Sequence, residues 1–292
     1  MAPHAALKPG NVAVITGAGA GGIGFAVAAL VATRYDMFPV LLDISRPALD
    51  DAARQLVAQG VPDDKFETLV VDVADPQDLL DAADAIFAKH GRVDFLHLNA
   101  GVAGKSRTYG SGMLEDWDRI FKVNLGGVTA GSAAFVERMI AQDSPAAVII
   151  TGSKQGMTNP PGTGAAYNAS KAAVKAFAEV LAHDLLPTQV TVKLLIPGWV
   201  YSKLSTGGAP VDNASKPAGA WTAAQCAEEL FARLAGDEFY LLCPDNETSP
   251  ELDLARLAWA ADDVLKKRPA LSRWHPAFKT EYDQFIEGKV GK

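Results

Sequence analysis

In the stretch VITGAGAGGIGFAVA, Val14 to Ala28, five glycines fall within eight positions before the chain turns into a run that any helix would accept. A β-branched strand ends at Thr16, bare backbone follows, and the spacing predicts a helix from about Gly24. The amide N–H groups of such a turn and the positive end of the helix converge on one point, which suits an anion such as a pyrophosphate. Asp43, nineteen positions after Gly24, closes the next apolar run. There a carboxylate can bond the hydroxyls of an adenine ribose and repel a 2′-phosphate, which favours NAD over NADP. Two alternatives stay open: Asp43 as an N-cap of the following helix, and NADP use supported by Arg46.

Outward from that turn, short apolar runs alternate with helical stretches. The runs cover 11–16, 38–43, 66–72, 93–99, 146–151, 190–196 and 238–243. Most are continuous rather than alternating, as in strands covered by helices on both faces. Between them, 46–59, 75–90, 113–141, 164–186 and 222–235 are rich in Ala, Leu, Glu and Asp at helical spacing, and Asp75-Pro76 reads as an N-cap with proline in the first turn. Repeated βα units with right-handed crossovers predict an α/β fold, a doubly wound, seven-stranded, mainly parallel sheet with ligands at the carboxyl ends of its strands. One domain over 1–245 is expected, with a helical C-terminal extension over 246–292. In the extension, Thr248 to Glu251 fits a capping box and Leu254, Leu257, Ala258, Ala261 and Leu265 follow at helical spacing. A second helix shows Phe278, Tyr282, Phe285 and Ile286. These apolar stripes close over the chain's own pocket or pack on a neighbouring subunit, and the sequence leaves both open.

A net charge of −7 without a basic cluster argues against nucleic acid and against an anionic membrane surface. The 49% hydrophobic and 21% charged content is that of an ordinary soluble globular chain. Residues 11–33 carry no charge, but the glycines among them would make a poor membrane-spanning helix. The start, MAPHAALKPG, has no apolar core before a small-residue cleavage site, so no signal peptide is expected and the cytoplasm is the default. Cys226 and Cys243 form no CxxC pair and read as reduced core thiols. The five histidines share no short spacing, and no metal site is expected.

Further motifs appear in a fixed order: Asn99-Ala100-Gly101 at a strand end, Asn124 in KVNLGG, Ser153 in IITGSKQG, Tyr167-Asn168-Ala169-Ser170-Lys171, and Pro197-Gly198. With the glycine turn, they make the chain resemble the short-chain dehydrogenase/reductase family, over roughly residues 8–245. The resemblance implies a Rossmann fold, an NAD-dependent oxidoreductase acting on a small-molecule alcohol or ketone, and a homodimer or homotetramer joined through the helices carrying Asn124 and Tyr167. It implies a catalytic set of Asn124, Ser153, Tyr167 and Lys171. Ser153 would bond the substrate oxygen, Tyr167 would transfer the proton, Lys171 would also hold the nicotinamide ribose, and Asn124 would anchor a water. It also implies cofactor contacts from Gly17, Gly22, Ile23 and Gly24 at the phosphates, Asp43 at the ribose, Asp72 and Val73 at the adenine, and Asn99, Ala100 and Gly101 beside the ribose. Pro197 and Gly198 would also contact the cofactor, and the Val200 backbone and Ser202 hydroxyl would meet the carboxamide. Two departures concern loops: the glycine turn has four residues between Gly17 and Gly22 where the family has three, and Ser153 and Tyr167 lie fourteen apart, one more than typical.

The residues themselves state the chemical problem. Oxidising an alcohol needs a base for the hydroxyl proton, and a phenol near pKa 10 is a poor one at neutral pH. Four residues along a helix put Tyr167 and Lys171 on one face, where an ammonium favours phenolate. Reaching neutrality would require about 4 kcal/mol, at roughly 1.36 kcal/mol per pKa unit. The segment 203–220, between Trp199 and Trp221, is poor in large apolar residues and reads as a lid with aromatic hinges. Met157, Trp199, Lys154 and Gln155 are expected to line the substrate pocket. Besides the dehydrogenase, two readings stay in play: a non-catalytic NAD-binding regulator, and an epimerase that retains its cofactor.

Overall fold

The computed structural model describes residues 2–104, 108–110 and 113–290. The strands are β1 (Val12–Thr16), β2 (Phe38–Asp43), β3 (Glu67–Val70), β4 (Phe95–Leu98), β5 (Ala146–Thr151), β6 (Val190–Ile196), β7 (Val200–Tyr201), β8 (Trp221–Thr222) and β9 (Tyr240–Leu242). The helices are α1 (Ile23–Tyr35), α2 (Arg46–Ala58), α3 (Pro76–His90), α4 (Leu114–Phe121), α5 (Gly127–Ala141), α6 (Gln155–Thr158), α7 (Ala165–Asp184), α8 (Ala223–Arg233), α9 (Pro250–Leu265) and α10 (Lys279–Val290). Seven strands form one sheet in the order β3-β2-β1-β4-β5-β6-β9, and every neighbouring pair is parallel. β7 and β8 pair separately beyond its carboxyl end.

The continuous apolar strands explain the layering. Along β1, Ala13 and Ile15 face a core shared with α1, α2 and α8, while Val12 and Val14 face a second core shared with α3, α5 and α7. Each fully buried Leu or Ile in these layers contributes about 1.5–3 kcal/mol. The chain runs outward through β2 and β3, then crosses to β4 on the other side of β1. That reversal opens a crevice at the carboxyl ends of β1 and β4, where open α/β sheets bind ligands.

Local chemistry fixes the element ends. Asp75 caps α3, its carboxylate accepting from the Gln77 amide at 2.9 Å, with Pro76 as the first helical residue. The single helix expected over 113–141 is instead two α-helices separated by a π turn, Lys122–Gly126. Asn124 sits at the centre of the turn, and its side chain bonds to Val102 and Ser170 outside the helix; such π turns are common at functional sites.

The extension departs from its sequence pattern in two respects. Ser249, not Thr248, caps α9, with Pro250 behind it, which leaves the Thr248 hydroxyl to accept from Arg256. The buried face of α9 is formed by Asp253, Ala255 and Trp259, while Leu254 and Leu265 are 61% and 76% exposed. The hydrophobic stripe is displaced because α9 turns polar residues inward. Trp259 anchors the extension, with the rings of Tyr282 and Phe285 at 5.3 and 5.2 Å.

Among the described residues, no helix is long and apolar enough to cross a membrane, and no cluster of His, Cys, Asp and Glu could hold a metal. Cys226 and Cys243 are free and buried, their sulfurs 3.9 Å apart.

Candidate active site

A cavity of about 1140 Å³ runs along the crevice, from Asp43 past the start of α1 to Tyr167 and on to the C-terminal extension. That volume exceeds the usual range of a small-ligand site.

At its first end, Gly17, Gly22 and Ile23 line the wall. No side chain caps α1 at Gly22, so its first-turn N–H groups are available to an anion. The extra residue of the loop is absorbed at Gly21, whose φ of +92° strains any side chain, and whose carbonyl accepts from the Lys203 amide. Gly24 does not line the cavity. Its Cα lies against the Gly17 carbonyl, where a Cβ would come within 2.4 Å, and this contact lets α1 start directly beneath the turn. Asp43 is not the N-cap of α2, a place taken by Ser45. Its carboxylate accepts from the amides of Gly19 and Ser45 at 2.9 and 3.0 Å and still borders the cavity. An uncapped helix start, a glycine turn and a carboxylate at the end of β2 together fit a dinucleotide with a free adenine ribose.

A polar chain connects this end to the other. The Thr16 hydroxyl accepts from the amides of Asn99 and Ala100, and the Asn99 amide group donates to the carbonyls of Thr16 and Gly17. Thr151 donates to Asn99 Oδ1, and its carbonyl accepts from Lys171 Nζ at 2.7 Å. His97 meets the Thr151 hydroxyl at 2.8 Å, while its Nδ1 is buried without a partner. Burial, and then the charge of Lys171, push its pKa down to about 3, so the ring stays neutral.

Tyr167 and Lys171 lie on one face of α7, with Nζ 5.9 Å from the centre of the Tyr167 ring, and both line the cavity with Ser153. The electrostatics differ from the sequence-based expectation. Burial raises the pKa of the Tyr167 phenol above its ordinary value, and a hydrogen bond with Ser153 works against that rise. Burial also lowers Lys171 to about 8. Two groups sharing one dry wall are each penalised in their charged form, and here that cost outweighs their mutual influence.

Asn124 is fully buried behind the cavity. It accepts from the Val102 amide and donates to the Val102 carbonyl and to Ser170 Oγ at 2.9 Å, tying the loop after β4 to α7. Gly101 lies beside both Asn124 and Lys171, which a Cβ there would approach to 3.3 and 3.7 Å. Pro197, Gly198, Val200 and Ser202 form the opposite wall. Asp72 and Val73 are not brought to the cavity: Asp72 closes a turn through the Ala74 amide, and Val73 packs in the core.

Lys154, Gln155, Met157 and Trp199 line the far end as expected, but so does a group of polar residues from beyond 245. Lys154 Nζ lies 2.5 Å from Asp253 and 3.3 Å from Asp245, which also accepts from the Trp199 amide. Arg256, Leu257, Arg273 and Trp274 complete that wall. Hydrophobic periodicity could not flag them, although the interrupting charges Asp253 and Arg256 within an apolar helix were a usable signal.

The chain matches the family described as short chain dehydrogenase over residues 11–209. It is 33% identical over 236 residues to 1-deoxy-11-beta-hydroxypentalenate dehydrogenase of Streptomyces avermitilis, covering 80% of this chain and 84% of that one. Among solved structures it is similar to a short chain dehydrogenase/reductase from Burkholderia phymatum in complex with NAD, with a TM-score of 0.77, 31% identity and coverage of 89% and 96%. A metagenomic short-chain oxidoreductase in complex with NADP has a TM-score of 0.66, 28% identity and coverage of 82% and 98%. The chain therefore belongs to the short-chain dehydrogenase/reductase family of oxidoreductases.

Proposed function

We propose that the chain is an NAD-dependent dehydrogenase that interconverts a secondary alcohol and its ketone, with Tyr167 as acid and base. The observation that carries this reading is the convergence of Ser153, Tyr167 and Lys171 on one cavity that also receives the start of α1. Gly17, Gly22 and Ile23 would hold the pyrophosphate, Asp43 the adenine ribose, and Lys171 the nicotinamide ribose. When bound, the nicotinamide supplies the hydride acceptor.

The chain's own residues do the rest. Ser153 and Tyr167 grip the substrate oxygen, and the proton passes between that oxygen and the phenol. The raised pKa keeps Tyr167 protonated near neutrality, the form that donates to a ketone; alcohol oxidation uses the phenolate and gains as pH rises. Lys171, fixed on the Thr151 carbonyl, lends positive charge to that oxygen in the transition state. Asn124 is a positioning residue, holding α7 in register with the loop after β4.

Asp43 supports NAD over NADP, because a 2′-phosphate would meet a carboxylate already fixed by two amides. Two buried free thiols support a reducing compartment such as the cytoplasm. The test is NADH absorbance over a panel of cyclic and linear secondary alcohols, run with NAD and with NADP. Sustained NADH release is expected. Product inversion without NADH release would replace the reading by an epimerase, and dinucleotide binding without turnover on any alcohol or ketone by a regulator.

A further inference from the structure

The outer wall of the cavity carries two arginines with no ion pair of their own among the described residues, and the one carboxylate whose charge reaches both, Asp253, is already held by Lys154. Arg256 projects from α9 and Arg273 from the turn Ser272–Trp274, and both line the cavity shared with Ser153 and Tyr167. Among the described residues neither forms an ion pair, because the carboxylates of this region are engaged elsewhere. Lys154 takes Asp245 and Asp253, Lys266 takes Asp262, and Arg268 takes Asp263. Arg256 donates from Nη1 to Thr248 Oγ1 at 3.1 Å, and its buried Nε has no partner. Arg273 lies over the rings of Trp274 and Tyr282, at 4.6 and 5.5 Å. Such stacking uses the face of a guanidinium and leaves its N–H edge free.

The two cations also act on each other. Burial, and then the charge of Arg256, depress the pKa of Arg273, and the opposing pull of Tyr282 and Asp253 only partly offsets them. Like charges on a half-buried wall oppose folding, and an anion bound between them would remove that cost. The wall is prebuilt rather than loose. Ser272 is fully buried, donates to Asp263 Oδ1 at 2.5 Å, and accepts from Trp259 Nε1 at 2.8 Å, so the turn presenting Arg273 is fixed from both sides. The charge count sets the ligand. Lys154, Arg256 and Arg273 face Asp245 and Asp253, which leaves one positive charge and matches a carboxylate better than a phosphate dianion. Met157, Leu257 and Trp274 supply apolar surface on the same wall.

We propose that Arg256 and Arg273 form a carboxylate subsite, so that the substrate is a hydroxy acid with an apolar skeleton. Its hydroxyl carbon lies at Ser153 and Tyr167, and its carboxylate lies on the C-terminal extension. The assignment of the hydroxyl end rests on the dehydrogenase reading; the anion subsite does not.

Titration calorimetry with cyclopentanecarboxylate and its methyl ester, on the full chain saturated with NAD, tests the subsite without turnover. The acid is expected to bind at least about tenfold more tightly than the ester, the effect of one charge-assisted hydrogen bond of about 1.4 kcal/mol. That ratio should fall toward one in Arg256→Met and in Arg273→Met, and recover in part in Arg256→Lys and Arg273→Lys. Equal affinity for acid and ester in the unsubstituted chain overturns the subsite without any variant having to fold, as does a ratio that both methionine variants keep. In the alcohol panel, 3-hydroxycyclopentanecarboxylate should exceed its methyl ester in kcat/KM by a similar factor. If no alcohol yields NADH, the dehydrogenase reading fails while the calorimetric ratio still decides the subsite.

Discussion

Tyr167 and Lys171 face each other in a wall dry enough to shift both, and the direction of each shift can be measured. Because burial raises the phenol, alcohol oxidation should rise with pH through the alkaline range and ketone reduction should fall, as read in kcat profiles of the two directions. A profile for oxidation that is flat above neutrality would contradict a protonated resting phenol. Lys171 has a stability signature of its own. Its folded pKa of about 8 lies below its ordinary 10.5, so the unfolded chain binds more protons between those values. The stability contributed by this residue therefore rises as pH goes from about 8 to about 10.5, a slope that Lys171→Met should remove in urea unfolding of the cofactor-free protein. At the other end of the cavity, Asp43→Ala should lower the ratio of NAD to NADP affinity by about tenfold or more, since one lost charge-assisted contact is worth about 1.5–3 kcal/mol. An unchanged ratio would deny Asp43 its role. That residues on strand ends and on α7 would come together at one cavity was legible because motif and spacing coincide there. The pKa directions were not, because burial of a helix face cannot be read from the four-residue spacing of Tyr167 and Lys171.

At the scale of elements, α7 carries the proposed acid–base pair, the π turn ties to α7 through Asn124 and Ser170, and α9 lines the far wall. Trp259 is the keystone of that last element, 1% exposed, with its N–H on Ser272 and the Arg268 guanidinium 3.6 Å from its ring. Trp259→Ala should cost about 3–5 kcal/mol in unfolding free energy and release the extension to protease. A loss below 1 kcal/mol would mean that the extension contributes little to the fold. The five inner strands, β2, β1, β4, β5 and β6, were visible as continuous apolar runs, since strands buried on both faces carry no alternation to confuse the reading. The extension was less legible for a physical reason. Leu254, Ala258, Ala261 and Leu265 lie at helical spacing, but α9 turns inward along Asp253, Ala255 and Trp259, where burial is sustained by ion pairing as well as by apolar area. A hydrophobic pattern cannot register a face stabilised that way. The π turn was not legible either, since the partners of Asn124 at its centre, Val102 and Ser170, are remote in sequence.

For the whole molecule, the sheet reversal between β1 and β4 brings the glycine turn, Ser153, Tyr167 and Lys171, and the extension around one cavity, so that the proposed binding and chemistry would share a single volume. If the family resemblance extends to assembly through the helices bearing Asn124 and Tyr167, sedimentation equilibrium should give a mass two or four times that of the chain. The central claim is that one phenol in that volume carries the proton. Turnover of Tyr167→Phe, followed by NADH absorbance with the best secondary alcohol of the unsubstituted protein, measures it most directly. The account predicts a loss of about 10²–10⁴-fold in kcat, the usual contribution of a general acid–base group, with NAD affinity largely kept. Turnover equal to that of the unsubstituted protein would contradict it.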